Sequence, residues 1–156
     1  MPDLPLKIIV SGGQTGADRA ALDVALELGM TGEGWCPKGR RAEDGEVDER
    51  YPLKETPRAD YIQRTEWNIR DSDGTLIVAQ PPLEGGTAAT ARIAAKLGKP
   101  CLVLHPDDQI NAPDRLSLWI HIHRIKILNV AGPRQSSGLD PYEATERLLR
   151  GLLKVR

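Results

Sequence analysis

The chain has 156 residues, of which 21 are basic and 22 acidic, with two cysteines and no phenylalanine. Its length suits one ligand-binding domain, predicted over residues 1–156, with a core that needs neither metals nor disulfides. The formal net charge of −1 excludes a global field that would recruit nucleic acid or an anionic membrane, so neither is expected as a partner.

Short apolar runs rich in Ile, Val and Leu predict strands, and helical patterns separate most of them. In chain order we expect a strand at 6–10, a helix at 17–28, a strand at 32–36, a helix at 61–72 and a strand at 75–79. A helix at 87–97, a strand at 101–105, a fainter helix at 114–123 and a strand at 125–130 follow, and a last helix runs from 140 to the C-terminus. The charged segment at about 37–60 has no clear period and is interpreted as a long loop.

Strands that alternate with helices in this way predict an α/β fold. We expect a single Rossmann-like domain, with a mainly parallel sheet of about five or more strands and helices on both faces. Ligands of such sheets bind beside the carboxyl ends of the strands, near the point where the strand order reverses. The loops that follow the strands are therefore the place to look for a site.

Two of these loops are glycine turns that run from a strand into a helix. Their residues are Gly12, Gly13, Gln14, Thr15 and Gly16 in the first turn, and Gly85, Gly86 and Thr87 in the second. The free N–H groups of a helix N-terminus suit an anion, and the turns match neither the dinucleotide fingerprint nor the Walker pattern. We predict a phosphate cradle of another kind; the plainer alternative is a sharp corner, because glycine fits positive φ anywhere. Thr15 and Asp18 are also placed to form a capping box.

Basic residues follow the second and the last predicted strands. Lys38, Arg40 and Arg41 lie where they could bind a phosphate, or they form a solvated charge cluster. No acidic residue stands there to hold a ribose, which argues against an NAD enzyme. Arg134, with two serines beyond it, is a weaker anion-binding candidate.

Side chains suited to catalysis are few, and we predict neither a catalytic residue nor a metal ligand. His121 and His123 would point to different faces of a helix, with no third ligand spaced for zinc. The two cysteines lie far apart and form no Cys-x-x-Cys pair. With no segment that resembles a signal peptide or a membrane span, a reduced, cytoplasmic protein is expected.

Four motifs in order carry a resemblance to a known family: SGGQTGADRAALD, GWCPKGRRAEDG, RTEWNIRDSDGTLIV and the GGT turn. Over roughly residues 8–133 the chain resembles the molybdenum cofactor carrier family, which is similar to a wider group of Rossmann-like nucleotide binders that includes the LONELY GUY-type phosphoribohydrolases. The resemblance implies a homo-oligomer, a dimer or a tetramer. It would hold a small phosphate-bearing ligand, the molybdenum cofactor, a pterin that binds its metal through a dithiolene.

The hydrolases of the wider group supply a test of activity. They carry an Arg on the helix before the third strand and a Gly-Gly-x-Gly-Thr-x-x-Glu turn after it. Arg64 matches that Arg and Gly86-Thr87 match the Gly-Thr, but Thr90 replaces the Glu. Losing this carboxylate favours binding over catalysis. The resemblance thus implies a carrier in which Arg64 joins the three basic residues as countercharge.

Two alternatives stay open from the sequence. One is a nucleotide N-glycosidase, in which Glu84 or a carboxylate of the 37–60 segment replaces the missing Glu. The other is a sensor of a nucleotide-like ligand, which the residues do not separate from a carrier.

Overall fold

A six-stranded parallel sheet forms the centre of the computed structural model, which describes residues 3–108 and 110–154. Its strands are β1 (Ile8–Val10), β2 (Thr31–Cys36), β5 (Leu53–Glu55), β6 (Gly74–Val78), β7 (Cys101–Leu104) and β8 (Ile127–Ala131), while β3 (Arg41–Ala42) and β4 (Gly45–Glu46) form a separate antiparallel pair. Across the sheet the order is β5-β2-β1-β8-β6-β7, and every neighbouring pair is parallel.

Five helices cover the two faces of this sheet. They are α1 (Ala17–Glu27), α2 (Tyr61–Arg70), α3 (Gly85–Lys96), α4 (Ala112–His123) and α5 (Pro141–Lys154). On one face α1 packs against α5 and α5 against α4, whereas α2 packs against α3 on the other. This arrangement confirms the predicted α/β fold, a single Rossmann-like domain. The expectation that the last helix continues through residues 155 and 156 lies outside the described residues.

The core is built from aliphatic side chains, as a chain without phenylalanine requires. Every residue of β6 is buried, which explains why this strand reads as a continuous apolar run rather than an alternating one. A smaller cluster around Tyr51 and Leu53 lies between the sheet and the segment that follows β2. Tyr51 is only 2 % exposed, and its hydroxyl donates to a carboxylate oxygen of Asp23 in α1.

The segment at 37–60 is ordered secondary structure in part, so its interpretation as a long loop is wrong. It contains the β3–β4 hairpin and the edge strand β5, which pairs with β2. Arg40 fastens the segment together, because its guanidinium donates to the carbonyl oxygens of Val47, Asp48, Tyr51 and Leu53 at 2.8–3.1 Å. Strands of two or three residues are too short to show a period in the sequence.

The order of the strands creates a crevice at one edge of the sheet. The chain moves outward from β1 to β5, crosses to β6 and β7, and returns to insert β8 between β1 and β6. The order reverses at this point, and the loops after β1, β6 and β8 open at the same edge of the sheet. Such a switch point is where ligands bind in open α/β sheets.

Candidate functional site

A cleft of about 970 Å³ lies at the switch point. Its walls come from the loops that follow β1, β6 and β8 and from the first turns of α2 and α3. The volume is within the usual range for sites that bury a small molecule. The cleft lies at the edge of the sheet where the sequence predicts a site, and the predicted residues have different surroundings there.

The first glycine turn has most of its N–H groups already engaged. Three of its amides donate to side chains of the same segment at 3.0–3.3 Å: Gly13 to Ser11, Gln14 to Asp18, and Thr15 to Gln14. From this turn only Gly12 and Gln14 line the cleft. The prediction that the turn cradles a phosphate stays a prediction, and the donors that it requires have other acceptors in this structure.

Close packing explains the glycines of this turn. A Cβ on Gly12 would lie 2.3 Å from Nη1 of Arg64, and one on Gly16 would lie 2.4 Å from the carbonyl oxygen of Pro133. Gly16 is also the N-cap of α1, without a side-chain cap. The predicted capping box is therefore wrong, because the Thr15 hydroxyl donates to Glu43 instead.

The second glycine turn faces open space. A Cβ on Gly85 or on Gly86 would meet no atom within 4 Å, and Gly85 has a φ of +51°. The N-cap of α3, Glu84, makes no side-chain cap hydrogen bond. The Thr87 and Ala88 amides donate to the Glu84 carbonyl at 3.1 Å. The first N–H groups of a helix have no acceptor within the helix, so the amides of Gly85 and Gly86 are the donors that this end of α3 presents to the cleft. Thr90, which stands where related hydrolases carry Glu, is buried, and its hydroxyl donates to the Gly86 carbonyl at 2.8 Å.

A buried ion pair lies in the cleft between the two turns. Nη1 of Arg64 is 3.4 Å from Oδ2 of Asp18 and donates to the carbonyl oxygen of Gly12 at 3.1 Å. Burial raises the pKa of Asp18 to about 6, against the opposing effect of Arg64. Burial also lowers the pKa of Arg64, which stays protonated because a guanidinium does not lose its proton in proteins. The pair puts a fixed cation and a titratable carboxyl on one wall.

The other predicted basic residues lie in different places. Lys38 is exposed and is not among the residues that line the cleft. Arg40 is also outside the lining, with its guanidinium used by the carbonyl groups of the 37–60 segment. Arg134 lines the cleft, whereas Arg41 is exposed and lies outside its lining. Both contact the ring of Tyr61, a cleft residue, with the Cζ atoms of Arg41 and Arg134 at 4.7 and 5.7 Å from its centre.

The β3–β4 hairpin is fastened beside the cleft by two acidic residues. Glu43 accepts hydrogen bonds from the hydroxyls of Thr15 and Ser136 at 2.5 and 2.6 Å, and these bonds lower its pKa. Asp44 forms a salt bridge with Arg19 at 2.9 Å. The first contact joins the hairpin to the loops after β1 and β8, which line the cleft, and the second joins it to α1.

Sequence reasoning missed the roles of two cleft residues. Asp18 was interpreted only as a cap, although a carboxylate on the alanine-rich buried stripe of α1 is unusual enough to indicate a site. Tyr61 was not considered, although a Tyr that follows the N-cap Asp60 begins a helix at the crevice. Neither assignment follows from the sequence alone, because both depend on the side chain of Arg64 in α2 reaching Asp18 in α1 beside Gly12.

The described residues contain neither a metal-binding cluster nor a membrane-spanning helix. Within 3–108 and 110–154, no group of three or more His, Cys, Asp or Glu side chains is arranged to hold a metal ion. Cys36 and Cys101 are free thiols, and burial raises the pKa of both. None of the helices in the described part of the chain is both long and apolar enough to cross a bilayer.

Comparisons with known proteins agree with this architecture. A crystal structure from Syntrophus aciditrophicus SB, of a protein called "putative molybdenum carrier protein", is 45 % identical and has a TM-score of 0.95. The match covers 97 % of this chain and 98 % of that one, while a search of curated proteins gave no significant match. The model of one protein family matches residues 9–153 of this chain. The chain therefore belongs to the circularly permutated YpsA SLOG family.

Proposed function

We propose that this protein is a carrier that binds a small phosphate-bearing molecule, the molybdenum cofactor, in the cleft at the switch point. The observation that carries the proposal is the pairing of an open glycine cradle at Gly85-Gly86 with the buried cation of Arg64 in one cleft. Both groups suit a ligand that carries negative charge. The name of the Syntrophus relative supports the choice of cargo.

The residues of the cleft fit such a cargo. Methyl groups would occupy the open space at Gly85 and Gly86, so glycine leaves room for a ligand to approach the backbone. The pterin supplies the sulfur ligands of its own metal, so the protein needs donors for the pterin and the phosphate rather than metal ligands. In the proposal, Gly12 and Gln14 form the opposite wall, and Thr87 extends the cradle.

Other parts of the proposal rest on the sequence and the resemblance. Gly13, Thr15 and Gly16 shape the wall behind Gly12, while Lys38 and Arg40 keep the adjoining segment charged and folded. The cytoplasmic location and the homo-oligomer stay predictions.

Purification from a host that makes molybdenum cofactor tests the proposal. The denatured extract is assayed for the fluorescence of oxidised pterin and for molybdenum. We expect both at close to one per chain in the wild type and a large loss in the Arg64→Ala variant. Pterin and molybdenum both absent from a folded wild-type protein would contradict the proposal.

The nucleotide N-glycosidase is the second candidate, because of one observation. Asp18 lies in the cleft beside Arg64, and its raised pKa, about 6, suits a carboxyl that exchanges protons near neutral pH. The candidate predicts that the protein releases free base from nucleoside monophosphates and that Asp18→Asn abolishes the release. Intact nucleotides after long incubation would exclude it and leave the carrier.

A further inference from the structure

Three guanidinium groups surround one aromatic ring at the rim of the cleft. The Cζ atoms of Arg41, Arg64 and Arg134 lie 4.7, 5.1 and 5.7 Å from the centre of the Tyr61 ring. All three distances are within the range in which a ring face attracts a cation. The arginines come from β3, α2 and the loop after β8, so the fold assembles this arginine–tyrosine cluster from distant parts of the chain.

The cluster has fewer carboxylate partners than guanidinium groups. Arg64 has Asp18 as its partner, at 3.4 Å. By contrast, the side chains of Arg41 and Arg134 contact the ring but make no hydrogen bond or ion pair with any residue that the structure describes. Most other arginines that contact an aromatic ring here also have a carboxylate or carbonyl partner, as Arg19 and Arg70 do.

Glu43, a further carboxylate that interacts electrostatically with Arg134, already has other hydrogen-bond partners. Hydrogen bonds from Ser136 and Thr15 lower the pKa of Glu43, and Arg134 adds a smaller electrostatic contribution. Both carboxylate oxygens accept from those neighbours, Oε1 from Thr15 and from the Ser136 amide, and Oε2 from the Ser136 hydroxyl. Glu43 therefore attracts Arg134 from a distance without binding its guanidinium.

The positive charges also act on one another. Burial lowers the pKa of Arg64, and repulsion by Arg134 contributes in the same direction. An anion that enters between the guanidinium groups would relieve this repulsion and would accept charge-assisted hydrogen bonds from them. A phosphate group would supply the acceptor oxygens and the negative charge that this cluster lacks.

We infer that Arg41 and Arg134 hold the phosphate group of the ligand, with the ring of Tyr61 as the platform that aims both side chains. This inference rests on the proposed function, because it states where the phosphate end of the same ligand binds. It assigns the phosphate to the arginine–tyrosine cluster rather than to the first glycine turn, whose amides are engaged. The open cradle at Gly85-Gly86 is then left for the other end of the ligand.

Calorimetric titration of the purified protein with inorganic phosphate, and separately with adenosine 5′-monophosphate, tests the inference. We expect Arg41→Ala and Arg134→Ala each to raise Kd at least roughly tenfold, as the loss of a charge-assisted contact does. Arg92→Ala is the matched control, because Arg92 is an exposed arginine on α3 that neither lines the cleft nor belongs to the arginine–tyrosine cluster. Tyr61→Leu should weaken binding like the arginine variants, and thermal melts confirm that each variant folds.

The outcomes separate this inference from the proposed function. Phosphate binding that is lost in the arginine variants but kept in Arg92→Ala supports the inference, even where no pterin copurifies with the wild type. Unchanged phosphate binding in a folded Arg41→Ala/Arg134→Ala double variant overturns it, even where pterin copurifies and the carrier function stands. No binding of either probe to the ligand-free wild type also overturns it. Binding of the monophosphate but not of free phosphate supports a site for phosphomonoesters.

Discussion

Asp18 makes a distinct contribution to the pH dependence of the stability of this fold. Burial raises its pKa from 3.8 to about 6, so the folded chain holds this proton more tightly than the unfolded chain. The stabilisation is complete below the unfolded pKa and is lost as the pH rises through 6, by up to about 3 kcal/mol. We expect Asp18→Asn, which cannot ionise, to lack this part of the pH dependence.

Urea unfolding between about pH 4 and about pH 7 measures the effect as a difference between proteins. Other carboxylates titrate in the same interval, so the test compares how steeply the free energy of unfolding changes with pH in the variant and in the wild type. Asp107→Asn is the control, because that carboxylate is 93 % exposed. A wild-type slope that persists in Asp18→Asn would show that the buried carboxyl is not the cause.

Two glycines with opposite surroundings give a second residue-scale prediction. Gly86→Ala adds a methyl group where no atom lies within 4 Å, so the free energy of unfolding should stay constant or rise by up to about 1 kcal/mol. Gly12→Ala places a Cβ 2.3 Å from Nη1 of Arg64 and should lower it by about 1–3 kcal/mol. Chemical unfolding measures both, and pterin fluorescence should fall in Gly86→Ala if the cradle binds ligand. A strongly destabilised Gly86→Ala would contradict the open cradle.

At the scale of elements, the β3–β4 hairpin depends on its side-chain contacts more than on its two short strands. Glu43→Gln weakens the bonds to Thr15 and Ser136, and we expect faster hydrogen exchange of amides 41–46 with little change in global stability. Hydrogen-exchange mass spectrometry measures this. Glu46→Gln is the control, because the side chain of Glu46 makes no hydrogen bond or ion pair within the described residues. Equal exchange in both variants would mean that Glu43 does not fasten the hairpin.

Elements were predictable from the sequence where they were long enough to show a period. The five predicted strands and five predicted helices are all present, with bounds that differ by at most two residues where the structure describes them. β5 and the hairpin were missed because three or two residues carry no period. The two glycine turns look alike in sequence, and only their tertiary contacts distinguish them. Pro133 and Arg64 pack against the first turn, whereas a Cβ on either glycine of the second would meet no atom within 4 Å.

At the scale of the whole molecule, the position of β8 predicts that the chain tolerates a new order of its segments. β8 lies beside β1, and α5 runs back from its carboxyl end to pack on α1. Leu4 and Leu6 belong to the same core cluster as Leu152 and Leu153, which brings both chain ends near one edge of the sheet. A permutant that joins residues 154 and 3 through a short linker and opens between α4 and β8 should therefore fold.

In that permutant the strands would follow one another outward from β8 on each side, as in other doubly wound sheets. We expect its circular dichroism spectrum to match the natural chain and its free energy of unfolding to fall by no more than a few kcal/mol. A matched permutant opened inside α1 should fail, because the apolar side chains of this helix that face the core are fully buried: Ala17, Ala20, Ala21, Val24 and Ala25. Equal failure of both would show that the natural segment order is needed.

The central place of β8 also affects how the protein is made. β1 and β6 have left the ribosome long before residues 127–131, yet β8 is the strand that both of them pair with. During synthesis the growing chain therefore carries two separate groups of strands, each with an open apolar edge that invites wrong pairing. The sheet closes only when its last strand arrives, so the interval before residues 127–131 emerge is when the chain most needs protection from aggregation.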